Sequence, residues 1–204
     1  MTFPPIHYQD EHILIVEKPH GLLCQPGRGP ALAHSLLGII QTELPNAQLV
    51  HRLDRDTSGL IMLGLDADMH RLLSAMFAMR SVDKSYLADI WGDPGTTYGE
   101  IEWPISKQSN APPLYAAAID GKPSHTAWQL AARSEQHCRL MLFPKTGRSH
   151  QLRVHMATLG HPIVDDPLYG ILPAQGRLRL HAHSLAFNHP LTRQPMSFVS
   201  PCPF

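Results

Sequence analysis

The stretch His51-Arg52-Leu53-Asp54-Arg55-Asp56-Thr57-Ser58-Gly59-Leu60-Ile61-Met62-Leu63 joins a polar turn directly to an apolar run. The apolar residues from Leu60 to Leu65 predict a buried strand. Asp54 lies between Arg52 and Arg55, so its carboxylate has cationic neighbours on both sides. Most aspartates in such turns are simply solvated or bonded to the local backbone. A carboxylate flanked by arginines just before a buried strand is still a candidate reactive group.

Three other segments of the chain fit with this stretch. They are Lys18-Pro19-His20-Gly21-Leu22, Lys84-Ser85-Tyr86-Leu87-Ala88 leading to Trp91-Gly92, and Thr146-Gly147-Arg148-Ser149-His150-Gln151-Leu152-Arg153-Val154-His155. In this order and spacing, the four motifs closely resemble the RluA family of RNA pseudouridine synthases, over roughly residues 8–200. The resemblance is specific because four separated motifs agree, whereas any single one could arise by chance in a turn.

The resemblance implies both a fold and an activity. The fold is α+β, with a mixed, largely antiparallel sheet and flanking helices, in a single catalytic domain over residues 1–204 that lacks an S4 domain. The activity is the isomerisation of specific uridines in structured RNA, 23S rRNA and/or tRNA, to pseudouridine. Within the family, the chain is most similar to the compact subgroup that modifies both ribosomal RNA and a tRNA anticodon stem-loop.

The resemblance also implies the roles of individual residues. Asp54 matches the essential catalytic Asp, acting either as a nucleophile or in acid–base steps. Tyr86 matches a tyrosine for which two roles stay open, stacking of its ring on the target uracil and proton transfer by its hydroxyl at the sugar. Arg148 matches an arginine whose guanidinium suits pairing with a carboxylate in a dry pocket, with most of its motif as scaffold. Arg52 matches a position implicated in flipping the target nucleotide out of its stack. The chemistry requires no cofactor.

The charge distribution bears on RNA binding, which normally depends on Lys and Arg contacts to phosphate. The formal net charge is zero, from 17 basic and 17 acidic residues. Residues 1–102 carry 7 basic and 13 acidic residues (7 − 13 = −6), and residues 103–204 carry 10 and 4 (10 − 4 = +6). The second half can therefore supply a basic face. The predicted RNA-binding residues are Arg52, Arg55, Lys84, Lys145 and Arg153, with Arg177 and Arg179 as further candidate phosphate contacts.

Periodicity predicts the elements around these motifs. Residues 13–16 form a buried strand, and residues 31–44 form a helix with Leu32 on its apolar side. A second helix runs from Asp66, as cap, to about Arg80. Further strands are predicted at residues 86–91, 127–130, 139–143 and 197–199, core methionines at 69, 76 and 79, and loops and hairpins over the Pro- and Gly-rich residues 93–125.

Two alternative functions stay open at this point. A metal-dependent hydrolase is suggested by the histidines, although they lack Cys or carboxylate partners at ligand spacing, so no metal is predicted. A non-catalytic RNA-binding module is the other alternative, against which the intact set of Asp54, Tyr86 and Arg148 argues. The candidate metal-ligating histidines are His150, His155, His181, His183 and His189.

One position departs from the family pattern. Asp165 stands where the family usually has a glycine before its Asp, in the segment His161-Pro162-Ile163-Val164-Asp165-Asp166. If that glycine serves a positive φ, an aspartate can adopt the conformation but at some cost.

The remaining composition limits the cellular setting. Three cysteines, Cys24, Cys138 and Cys202, are odd in number and far apart, which argues against a disulfide framework and against a zinc site. The N-terminal residues show no basic and apolar signal pattern, and no apolar stretch approaches the ~20 residues of a membrane span. These features predict a cytoplasmic protein, and we expect a monomer whose partner is RNA, with no obligate protein partner.

Overall fold

The computed structural model describes residues 2–27, 29, 32–110, 113–171 and 173–204. The chain forms two compact units, one from residues 1–84 and 182–203 and the other from residues 85–181 and 204. Each unit has an apolar core of its own. The single catalytic domain expected over residues 1–204 therefore stays a prediction.

The first unit is a sheet with two helices. Its strand order is β1 (Ile6–Gln9), β2 (Ile13–Lys18), β4 (Ser58–Gly64) and β11 (Leu180–Asn188), with β3 (Gln48–Leu49) beside β4 and β12 (Pro195–Val199) beside β11. Helices α1 (Leu36–Ile40) and α2 (Ala67–Ala78) complete it. β2 and β4 pair antiparallel, from Ile13 opposite Gly64 to Lys18 opposite Gly59. Both predicted apolar strands are confirmed.

The second unit is a sheet with one helix and a separate hairpin. Its strand order is β5 (Asp83–Trp91), β10 (His137–Pro144), β9 (Thr126–Arg133) and β6 (Tyr98–Ile101), and neighbouring strands pair antiparallel. Strands β7 (Ile105–Asn110) and β8 (Pro113–Ala117) form the hairpin, and α3 (Gln151–Thr158) follows β10. The predicted α+β class with a largely antiparallel sheet is confirmed, as are the hairpins in the Pro-rich region.

Strand β4 fixes the end of the polar turn that carries Asp54. All seven of its residues are buried. Gly59 has a φ of 111°, and a Cβ at this position would lie 2.3 Å from the carbonyl oxygen of Ala182. Only glycine combines this conformation with such a close approach of two backbones. The Thr-Ser-Gly of the motif therefore serves the entry into the sheet.

The first predicted helix is much shorter than expected. Ser35 has an extended backbone, and its hydroxyl accepts the Gly38 N–H, so α1 begins only at Leu36. Ser35 also forms a parallel bridge with Leu23, and Leu36 N–H donates to the Leu23 carbonyl, which draws the preceding chain out of helical conformation. Leu32 is 43% exposed instead of buried, and the predicted start at residue 31 lies outside the described residues.

The second predicted helix is confirmed apart from its last turn. Asp66 caps α2 by accepting the Met69 N–H, as expected for a short polar side chain at this position. Met69 is buried and Met76 packs against the core. Met79 was expected in the core but is 72% exposed, because the helix ends at Ala78 and Arg80 adopts a positive φ.

Candidate active site

The predicted site residues fall into two groups, one in each unit. Asp54 lies in the first unit with Arg52, Arg55 and Lys84, whereas Tyr86 lies in the second with Lys145, Arg148 and Arg153. Lys84 lies in β5, whereas the loop between β3 and β4 carries Arg52, Asp54 and Arg55. Asp54 is half-buried there, between the exposed Arg52 and Arg55.

Lys18 supports this loop through hydrogen bonds to backbone carbonyls. Its side chain is fully buried, and its ammonium donates to the carbonyls of Pro19 (2.9 Å), Leu22 (2.7 Å) and Arg55 (2.8 Å). An ammonium group has three protons to donate, so these three carbonyls match its donor number. A buried charge is tolerated only when it is satisfied in this way. Lys18 therefore ties the loop at Arg55 to the turn after β2.

Two further groups of the same turn hold the loop. The Cys24 thiol donates to the Leu53 carbonyl (3.1 Å) and accepts the Leu53 N–H (3.3 Å). His20 Nδ1 donates to the Asp56 carbonyl (2.7 Å). Burial raises the pKa of the Cys24 thiol, so the thiol stays protonated and keeps its donor. The residues on both sides of Asp54 are thus held through their backbone atoms.

His51 braces the start of the loop against β4 and α2. Its Nε2 accepts the Met62 N–H at 3.0 Å, and its ring stacks on Phe77 with 4.5 Å between centroids. Desolvation, together with the positive charge of Lys84, lowers the pKa of His51 to about 3. The imidazole is therefore neutral near pH 7, and because Nε2 accepts, its proton resides on Nδ1.

Tyr86 occupies the second unit, where it faces Leu142 across the β5–β10 pair. It is half-buried and packs against the apolar core of this unit. An aromatic ring on a strand with one side in the core is well held.

Arg148 lies in the turn between β10 and α3, and Gln151 organises that turn. The side-chain oxygen Oε1 of Gln151 accepts the Arg148 N–H (3.0 Å) and the Thr146 hydroxyl proton (2.7 Å). Its amide group donates to His125 O and to Thr126 Oγ1, each at 3.0 Å. Because Gln151 is buried and fully bonded, the backbone at Arg148 is fixed while the side chain stays exposed.

The prediction that Arg153 contacts RNA is wrong. Arg153 is only 2% exposed, and its guanidinium donates to both carboxylate oxygens of Asp166, at 2.8 and 2.7 Å. The same group lies 5.1 Å from the centre of the Tyr169 ring. A side chain enclosed in this way cannot reach a phosphate. Helix α3 buries Arg153 together with its neighbours from Gln151 to Met156, so the charge alone did not indicate its position.

The other predicted RNA contacts have varied surroundings. Lys145 is exposed and Lys84 is half-buried. The exposed Arg55 is paired with Asp56 at 3.0 Å. Arg179 donates to the buried Asp89 (3.2 Å), which Arg139 also binds, so Arg179 is engaged in a structural ion pair. Arg177 is half-buried with its guanidinium 5.7 Å from the Phe204 ring.

The histidines considered as metal ligands have other roles. His155 is fully buried, donating from Nε2 to Trp103 O (3.0 Å) and accepting at Nδ1 from the Thr126 hydroxyl (2.9 Å). Desolvation lowers the pKa of His155 and keeps it neutral. Within residues 2–27, 29, 32–110, 113–171 and 173–204, one group of three residues that could bind a metal ion lies close together. It consists of Glu100, Glu102 and His125. None of the histidines predicted as candidates belongs to it.

Asp165 adopts the conformation anticipated for a glycine. Its φ is 57°, and its carboxylate accepts the Gln175 N–H at 2.9 Å. Aspartate is among the residues that adopt this region with least cost. The local hydrogen bond offsets part of the strain.

Comparison with known protein families identifies the class to which this chain belongs. A family model described as RNA pseudouridylate synthase matches residues 12–158, a range that includes Asp54, Tyr86 and Arg148. The chain belongs to the RNA pseudouridylate synthase family and is an RNA pseudouridine synthase.

Particular relatives agree with this assignment. The chain is 43% identical to the dual-specificity RNA pseudouridine synthase RluA of Vibrio parahaemolyticus, over 98% of this chain and 83% of the relative. It is 41% identical to the protein of the same name from Escherichia coli K12, over 98% and 93%. The solved structure of human RNA pseudouridylate synthase domain containing 1 is similar with a TM-score of 0.83 and 27% identity, over 98% of this chain and 84% of that one.

The part of the chain that the structure describes contains no helix long and apolar enough to cross a membrane.

The sequence did not reveal that Lys18, Cys24, His51 and Gln151 hold the backbone around the site residues. Lys18, His51 and Gln151 lie in the motifs themselves, but their partners depend on tertiary contacts.

Proposed function

We propose that Asp54 is the catalytic carboxylate of this pseudouridine synthase and that Tyr86 and Arg148 are also catalytic residues. The targets proposed are uridines in structured ribosomal RNA and/or tRNA. The dual specificity named for the relatives at 41–43% identity supports the breadth of this substrate class. Which uridine is modified depends on loop and stem shape, since RNA is read mainly where its bases are splayed out.

The reaction is an isomerisation and balances without a co-reactant. The N1–C1′ bond of uridine breaks, the uracil turns, and C5 bonds to the same C1′. The proton leaves C5, and N1 ends up protonated. Asp54 either forms a covalent bond to the substrate during this exchange or moves protons at the glycosidic bond.

The observation that carries the proposal is the support of the Asp54 loop. Lys18, Cys24 and His20 bond to backbone atoms at Arg55, Leu53 and Asp56, on both sides of the carboxylate. The backbone of the loop is therefore held on both sides of Asp54. A reactive group held within a narrow range of positions is what a demanding bond rearrangement requires.

Two exposed arginines beside Asp54 fit the task of reaching the target. Arg52 and Arg55 are exposed on the same loop. We propose that Arg52 helps to extrude the nucleotide and that Arg55 and Lys145 contact phosphate, with Lys84 as a further contact. Extrusion costs a few kcal/mol of unstacking, which phosphate contacts can supply.

Tritium release from RNA labelled at uracil C5 tests this proposal. Anticodon stem-loop and ribosomal hairpin transcripts are offered to the wild type, to Asp54→Asn and to Asp68→Asn as a control carboxylate on the exposed face of α2. We expect release by the wild type and by Asp68→Asn, and a loss of about 10²-fold or more for Asp54→Asn. Full activity of Asp54→Asn would remove Asp54 from the mechanism, and RNA binding without release from any transcript would favour a binding module.

A further inference from the structure

A cleft in the second unit lies beside the turn that carries Arg148. Its volume is about 490 Å³, within the range of sites for small molecules, and large enough for one nucleotide. Lys107, Lys122 and Arg148 contribute three positive charges to its lining, and Asp120 contributes one negative charge. The net charge of these four groups favours an anionic ligand.

Backbone contacts fix the two lysines close to each other. Ile105 N–H donates to Lys122 O (3.0 Å), and Lys122 N–H donates to Ile105 O (2.8 Å). At Gly121, a Cβ would lie 2.6 Å from the carbonyl carbon of Ile105, so this segment lies tightly against β7. Lys107 is two residues further along the same strand. Both lysines are exposed, with their backbones held in place.

Arg148 is attached to the same segment. Its Nε donates to the carbonyl of Pro123 at 3.0 Å, and Pro123 is the residue after Lys122. The guanidinium thus lies beside the lysine-bearing segment, and the cleft adjoins a residue of the proposed catalytic site.

Another wall of the cleft is the aromatic ring of Tyr115, which is held by contacts of its backbone and of its ring. Tyr115 N–H donates to the Tyr169 hydroxyl (3.1 Å), and the Tyr115 ring packs edge-on to His150, with 5.1 Å between centroids. The Tyr169 hydroxyl also bonds His150 Nδ1 (2.7 Å), and the Tyr169 ring lies beside the buried Arg153. Aromatic rings held in this way serve as stacking platforms for unpaired bases.

We propose that this cleft binds a nucleotide of the substrate RNA that flanks the target uridine. Lys107 and Lys122 contact its phosphodiester groups, and Tyr115 stacks on its base. The inference rests on the proposed function, and it adds three RNA-contacting residues that sequence patterns did not indicate. Lys107 lies in the β7–β8 hairpin and Lys122 follows it, so no sequence motif joins them, and their proximity depends on the Ile105–Lys122 pairing.

The salt dependence of RNA binding tests the cleft. Kd is measured from low to moderate salt for the Asp54→Asn protein with an RNA that the wild type isomerises, with and without Lys107→Ala and Lys122→Ala together. Two lost phosphate contacts reduce the slope of log K against log salt by about 1.4–1.8. Arg71→Ala with Arg193→Ala removes the same charge from exposed positions of the first unit, and we expect it to leave the slope unchanged. Thermal unfolding confirms that each variant is folded.

A second variant examines the stacking wall. Tyr115→Leu keeps the backbone N–H that bonds Tyr169, and we expect Kd to rise about 5- to 100-fold, which corresponds to the loss of one stacked base. The proposal is overturned if the double lysine variant has the same slope as the arginine control. It is also overturned if inorganic phosphate at constant ionic strength competes in the wild type while the lysine variant keeps the wild-type slope for RNA. Tritium release by the wild type, measured separately, shows whether the proposed function itself holds.

Discussion

Replacing Lys18 by methionine removes the ammonium beneath the Asp54 loop while keeping most of the side-chain volume. Lys18 is fully buried and donates to the carbonyls of Pro19, Leu22 and Arg55. The bond to the Leu22 carbonyl is buried, and the bonds to the Pro19 and Arg55 carbonyls are part-buried. The substitution leaves three carbonyls without this donor and opens the link between the turn after β2 and the catalytic loop.

The expected loss of stability follows from these three bonds. An unsatisfied buried carbonyl costs about 1–3 kcal/mol, and the two part-buried carbonyls fall at the low end of this range, which gives roughly 3–5 kcal/mol for all three. Removing a buried charge also abolishes its desolvation penalty, which offsets part of this loss. The net expectation is a destabilisation of about 1–3 kcal/mol, a substantial part of the 5–15 kcal/mol by which domains of this kind are stable.

Urea unfolding of Lys18→Met and of Lys107→Met provides the measurement. Lys107 is exposed, so the control removes the same charge and is expected to change the free energy of unfolding by less than about 0.5 kcal/mol. We also expect kcat of Lys18→Met to fall by about 10- to 100-fold, since small displacements of a reactive group are costly. A stability within 0.5 kcal/mol of the wild type would show that the ammonium does not hold the loop.

Two other positions give sharp expectations. His51 is neutral in the folded protein, with a pKa lowered to about 3 from 6.5, so its contribution to stability is complete above pH 6.5 and is lost as pH falls from 6.5 towards 3. Between pH 7 and pH 5 the wild type should lose about 2 kcal/mol more of its unfolding free energy than His51→Gln, and equal losses in urea titrations would contradict the argument. At Asp165, where φ is 57°, Asp165→Gly should be about 1–2 kcal/mol more stable than Asp165→Ala, because both lose the bond to Gln175 but only alanine keeps the strain. Equal unfolding free energies of these two variants would argue against strain at this position.

Local sequence predicted the elements that are strongly apolar or clearly capped. The runs at Ile13 and Leu60 became strands, and Asp66 capped α2, because each of these features is decided by neighbouring residues. The helix expected at residues 31–44 was wrong in length for the opposite reason. The bridge between Leu23 and Ser35 competes with helix formation, and a contact between distant segments leaves no periodic pattern in the chain.

The catalytic candidates were predicted from motifs, whereas their supports were not. Asp54 and Arg148 lie in recognisable motifs. The thiol of Cys24, in contrast, donates a hydrogen bond to Leu53, which is 29 residues further along the chain. His51 was part of the quoted stretch, and yet its partner Met62 and its stacking on Phe77 require β4 and α2 to be in place. Supporting contacts of this type depend on tertiary structure, and a single sequence carries no record of them.

Arg153 shows why a basic residue that is predicted to bind RNA need not contact RNA. A surface arginine contributes through phosphate contacts, but a buried one must be neutralised by a partner such as Asp166. Once paired, the guanidinium lies against the Tyr169 ring, whose hydroxyl bonds both His150 and the backbone of Tyr115. Under the proposal that Tyr115 stacks on RNA, Arg153 acts on RNA binding only indirectly, through Tyr169, whose hydroxyl bonds the Tyr115 backbone. On this argument, loss of Arg153 alters the position of an aromatic wall, whereas loss of Lys107 or Lys122 alters charge, and only the latter changes the salt dependence of binding.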